Sequence, residues 1–66
     1  MTKAEKKIIF DKCLHYEKCA EETTKNLDMK REFEASALSI WVLIGDLGLM
    51  GEYDKYEAIK KAVNNG

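Results

Sequence analysis

Apolar positions recur along the chain at helical spacing in separate blocks. Ile9, Cys13, Tyr16, Ala20, Thr23 and Leu27 follow one another at alternating steps of four and three. That rhythm draws a seam down one helix face. Ile8, Phe10, Leu14 and Cys19 widen the seam, and Asp11, His15, Lys18 and Glu22 fall opposite. The stretch "TKAE" has the form of a capping box, with Thr2 and Glu5 satisfying free N–H groups of the first turn. A first helix is therefore predicted from Thr2 to about Thr24.

"KNLDM" reads as the turn, with Asn26 as a left-handed C-cap and Asp28 capping the next helix. The second helix is predicted from about Met29 to Leu47. Its main stripe is Met29, Phe33, Ala37, Ile40, Ile44 and Leu47, flanked by Leu43 and Trp41. Asp28, Glu32, Ala35, Ser39 and Asp46 mark the opposite face. Leu38 and Val42 break the pattern by lying outside the stripe, toward the polar side. Within "SALSIWVLIGDLGLMG" the helix is thus apolar over most of its circumference, as a helix buried on all sides would be.

Gly48 suits the left-handed position past a helix end, with Leu49 or Met50 folding back onto the last turn. Gly51 then gives the chain freedom to reverse. "DKYE", from Asp54 to Glu57, reads as a second capping box, with Tyr53 stapled onto Ala58. The short third helix, about Asp54 to Asn64, would bury Tyr56, Ile59, Ala62 and Val63, and "NNG" would stop it.

The expected fold is a single all-α domain over residues 1–66. It is an antiparallel hairpin of two long helices, the second of them central, with a short third helix near the hairpin's open end. Composition agrees: the chain has no Pro, is 45% hydrophobic and 35% charged, and is rich in Lys, Glu and Ala. At 66 residues a lone core is marginal without a staple or a partner. The surplus apolar surface of the second helix points to that partner. A homodimer with a four-helix core and the short helices as flaps is expected, or a stable complex with another protein. The interface is assigned to Leu38, Trp41 and Val42, with Phe10 and Leu14 at its edge, since Trp is enriched among interface anchors.

Candidate chemistry is sparse. Asp11, His15 and Cys19 stand four apart on one helix face with Glu22 nearby, and such types ligate zinc. A tetrahedral site draws ligands from more than one element, and no second cluster exists. Cys19 beside His15 resembles a thiol with its base but lacks an oxyanion site and a pocket. Glu21 and Glu22 are adjacent and diverge by about 100°. "GDLGLMG" lacks the preceding strand and the Lys-Ser/Thr of a phosphate loop. Neither catalysis, cofactor nor metal is expected. A Cys13–Cys19 disulfide within one helix would need Cα atoms closer than its rise allows.

A net charge of −1 offers no global attraction for nucleic acid. The alternative function is a small DNA-binding regulator using the corner between the second and third helices. "DLGLMGEYD" is long for such a turn, and Lys55, Lys60 and Lys61 are interleaved with Glu52, Asp54 and Glu57. The helix has no Arg to read guanine. Met1 to Lys7 is charged and the apolar group after it short, so no secretory signal is expected. The longest low-polarity run, Ala35 to Gly45, falls short of the roughly 20 residues of a membrane span. The sequence thus predicts a cytoplasmic, non-enzymatic interaction protein with reduced cysteines. By size and make-up it suits an accessory or regulatory protein of a bacterium or mobile element.

Overall fold

A computed structural model describes residues 1–65 of the chain, with side chains described through Val63. It is all-helical, with α1 at Lys3–Glu22, α2 at Leu27–Asp46 and α3 at Met50–Asn65. Gly66, the last residue of the expected stop, lies outside the described residues.

α1 begins as its sequence predicts. The Thr2 N–H donates to Glu5 Oε1 at 3.1 Å, and the Glu5 N–H donates to Thr2 Oγ1 at 3.2 Å. The helix ends at Glu22, with Thr23 as its C-cap. The turn that follows is built differently from expectation. Asn26 is extended, at φ −115° and ψ 98°, and its side-chain oxygen accepts from the Met29 N–H at 3.0 Å. It is therefore the N-cap of α2 rather than the C-cap of α1. The same side-chain oxygen that tolerates a left-handed turn serves equally well as a cap acceptor. α2 accordingly starts at Leu27, Asp28 sits in its first turn near the positive end of the helix dipole, and Leu27 is exposed rather than in the α1 seam.

The end of α2 follows the sequence closely. Gly48 has φ +72°, its N–H donates to the Gly45 carbonyl at 3.0 Å, and the Leu49 N–H donates to the Ile44 carbonyl at 3.0 Å. This is a Schellman closure, and it folds Leu49 and Met50 onto the core. No heavy atom lies within 4 Å of a Cβ built at Gly48. Gly48→Ala is therefore expected to cost about 1–2 kcal/mol from backbone strain alone. Thermal melts followed by circular dichroism should show the loss, and Gly48→Asn should recover part of it.

α3 departs most from expectation. It starts at Met50 rather than Asp54, because the closure at Gly48 already reverses the chain. The Tyr53 N–H donates to the Leu49 carbonyl at 2.9 Å, so Gly51 lies inside the helix and the Asp54–Glu57 capping box does not form. The added turn brings Tyr53 into the helix, one turn before Tyr56 on its docking side. Tyr53, the expected staple, becomes a core residue; of the expected inner face Tyr56 packs against the core, while Ala62 is exposed and Ile59 and Val63 are 65% and 72% exposed.

α1 and α2 form the hairpin, and α3 returns to the open end as predicted. Phe10, Cys13, Ile44 and Tyr53 make the core where the helices meet, with Ile9, Leu14, Ile40, Leu49, Met50 and Tyr56 packed around it. The Phe10 ring centroid is 5.4 Å from those of both Tyr53 and Tyr56. α1, rather than α2, is the central helix. Its Phe10–Cys13 side meets both partners, while α2 keeps part of its circumference bare. Toward the hairpin turn the seam narrows to buried Ala20 and Ala37 and the stacked pair Tyr16–Phe33. The molecule measures 37 × 31 × 17 Å, and α3 rests on the hairpin only at its open end. It is thus a hairpin layer with a partial second layer.

Candidate protein-protein interface

The exposed apolar surface of α2 is the feature the fold leaves unexplained. Leu38 is 59% exposed, Trp41 45% and Val42 47%. At about 100° per residue, these and Gly45 occupy one arc of the helix, turned away from the Ala37–Ile44 line that faces α1. Leu43 and Leu47 are exposed on the other edge. Tyr53 and Tyr56 do not cover Trp41, because Phe10 takes both rings.

The expected interface residues therefore separate into two groups. Leu38, Trp41 and Val42 lie together at the surface. Phe10 is buried at 4% exposure and belongs to the core, because α3 lands on it. Leu14 is half-buried against the same core.

Beside the arc runs a groove of about 490 Å³ between α1 and α2. Ala20 and Ala37 form its floor, and their small side chains set its depth. Leu38 and Trp41 form one wall. Glu17, Glu21 and Glu34 stand along the rim with Lys30. Lys30 is already engaged, its ammonium donating to the Ala20 carbonyl at 2.8 Å and lying 4.0 Å from Glu34. The groove thus combines an apolar bed with an acidic edge.

A polar cluster joins α1 to α3 at one end of this groove. The Tyr53 hydroxyl lies 3.2 Å from Glu17 Oε1 and 3.4 Å from Glu57 Oε2. It has one proton to donate, so the two carboxylates share it. The Cys13 thiol lies 3.8 Å from Glu17 Oε1 and 3.7 Å from the Ala37 carbonyl, with one proton for the two acceptors. Burial, then the Glu57 charge, raises the Glu17 pKa. Burial likewise pushes the Cys13 thiol up, which keeps it protonated and a poor nucleophile. Tyr53 is pushed far above the usual phenol range by burial, so its hydroxyl is a permanent donor. Sequence reading missed this cluster. The available signals were Glu17 one turn after Cys13 and Tyr53 one turn before Glu57.

The other polar candidates are distributed among structural contacts. Asp11 accepts from the Tyr56 hydroxyl and lies 3.9 Å from Lys60. Burial, then Asp11, pushes Tyr56 up to about 12. His15 Nε2 is 3.6 Å from Cys19 Sγ, and Glu22 pairs with Lys18 at 3.9 Å. Asp11 is thus drawn toward α3 and away from the His15–Cys19 pair. Among the described residues, no three side chains of metal-ligating type are grouped closely enough to hold an ion, and no helix is long and apolar enough to cross a membrane. Compared with models of protein families, with curated proteins and with solved structures, the chain matches none of them.

Proposed function

We propose that the chain is a small non-enzymatic protein–protein interaction module whose working form is a homodimer, in an accessory or regulatory role. The observation that carries this reading is the exposed Leu38–Trp41–Val42 arc on a helix that already supplies Ala37 and Ile44 to the core. Apolar side chains clustered on one face mark association surfaces more often than scattered ones do, and a half-exposed Trp is a common anchor. Covering the arc with a second copy also offsets the marginal stability of so short a chain.

Sedimentation equilibrium over a wide concentration range tests the reading. The wild type is expected to be a dimer, and Leu38→Glu combined with Val42→Glu a folded monomer. Both positions are exposed, so the variant should keep its helical circular dichroism. A wild type that stays monomeric at every concentration would overturn self-association.

The DNA-binding alternative gains one observation. α2 and α3 are joined by only Leu47, Gly48 and Leu49, close to the length of a helix-turn-helix corner and shorter than the sequence suggested. The charges speak against it: Lys60 lies near Asp11 and over the Tyr56 ring, and Lys61 pairs with Glu57. The exposed apolar residues of α3 include Ile59 and Val63. This alternative requires duplex binding that weakens steeply with salt.

A further inference from the structure

We propose that, in the homodimer, the groove between α1 and α2 of one copy receives the exposed stripe of α3, Ile59 and Val63, from the other. This rests on the homodimer reading and names the surfaces that meet.

Area is the first argument. A stable interface takes about 800 Å² from each partner. Half-exposed Leu, Trp and Val side chains offer about 100 Å² each, given the 150–250 Å² that a whole aromatic residue buries. The α2 arc alone falls well short. Ile59 and Val63 form a second unpartnered apolar surface, 65% and 72% exposed. One association that covers both surfaces comes closer to the required area than two arcs of α2 pressed together.

Placement is the second. α3 covers only one end of the hairpin face, where Tyr53 reaches Glu17. Glu17 also lines the groove, so the groove is the uncovered continuation of the face on which α3 lies. At about 100° per residue, Ile59 and Val63 lie about 60° and 20° around α3 from Tyr56, so the stripe continues, past the core, the side by which α3 docks on α1. A two-fold axis between the copies would let each α3 lie over the other copy's groove. The contact is then made twice and the assembly closes. The second layer, partial in one chain, becomes complete.

Shape and charge agree. The floor of Ala20 and Ala37 is concave, and Ile59 and Val63 are branched side chains one turn apart on a convex helix. Lys55 lies one turn before Ile59 on the same face, is exposed, and makes no ion pair among the described residues. It would meet the rim formed by Glu21 and Glu34. Opposite charges across the rim favour this register over groove against groove, which brings acidic rims together.

The test is complementation between two variants, read by sedimentation. Leu38→Glu damages the groove and leaves α3 intact. Ile59→Glu with Val63→Glu damages the stripe and leaves the groove intact. All three positions are exposed, and circular dichroism checks that each variant stays helical. Each variant alone is expected to lose dimer affinity by about a hundredfold or more, the effect of removing an interface anchor. Mixed together at high concentration they should form a heterodimer, because one intact groove still meets one intact stripe. If the stripe variant dimerises like the wild type, or the mixture forms no heterodimer, the α3-in-groove contact is wrong while self-association through α2 stands. If the wild type itself is monomeric, the homodimer reading fails and this contact fails with it.

Discussion

Phe10→Ala is expected to unfold the chain or leave it barely folded at 25 °C. Truncating a buried Phe costs about 3–5 kcal/mol, and a chain of this size has a net stability of only about 3–5 kcal/mol from a single core. The position is also a junction. Its ring touches Tyr53 and Tyr56, each at a centroid distance of 5.4 Å, so its removal takes away the apolar ground on which α3 rests. Urea denaturation at one fixed protein concentration, followed by helical circular dichroism, should show a large drop in midpoint. Ile8→Ala is the control. Ile8 is exposed on the outer side of α1, and its truncation should change stability by no more than about 0.5 kcal/mol. A Phe10→Ala protein within 1 kcal/mol of wild type would mean that α3 is not docked on α1 as described.

Phe10 also shows where the sequence is readable and where it is not. The apolar seam of α1, the Thr2–Glu5 capping box and the left-handed Gly48 were legible because each depends on residues within one or two turns. The surplus apolar surface of α2 was legible for the same reason: Leu38 and Val42 fall outside the stripe whatever packs on it. The face that α3 presents was not legible. A helix starting at Asp54 leaves Tyr53 outside as a staple and one starting at Met50 makes it a core residue, and local capping signals favoured the later start. The choice was made by tertiary contact. Starting at Met50 brings Tyr53 over Phe10 and its hydroxyl to Glu17, and this pairing is long-range in sequence. The burial of Phe10 was hidden with it, since a side chain at the edge of the α1 seam is core or surface according to where α3 lands. The acidic rim of the groove was invisible for a related reason. Glu17, Glu21 and Glu34 belong to two helices, and their convergence depends on the register of the hairpin.

Tyr53→Ala is the second large effect, expected at about 3–5 kcal/mol as the loss of a buried aromatic. The conservative variant is more informative. Tyr53→Phe keeps the ring against Phe10 and removes only the hydroxyl shared by Glu17 and Glu57. A hydrogen bond to a charged group contributes about 1.5–3 kcal/mol, so the loss should lie at or below that range. Its pH dependence identifies its origin. The Glu17 pKa is raised from 4.5 by burial and then by the Glu57 charge, while the Tyr53 hydroxyl pulls it back down. Between pH 4.5 and that raised value the native state holds a proton that the unfolded chain has released. Stability from this group is therefore fully present below 4.5 and is lost as pH rises through the native pKa. Without the hydroxyl the native pKa climbs further. The deficit of Tyr53→Phe should thus be larger near pH 7 than near pH 4.5, and Glu17→Gln should flatten the profile in either background. Glu5 works in the opposite sense and in a lower window. The backbone N–H and the hydroxyl of Thr2 lower its pKa, so the capping box is lost only as pH falls through that depressed value. An equal deficit for Tyr53→Phe at both pH values would mean that the hydroxyl does not serve the carboxylate pair, and that α3 is held to α1 by its rings alone.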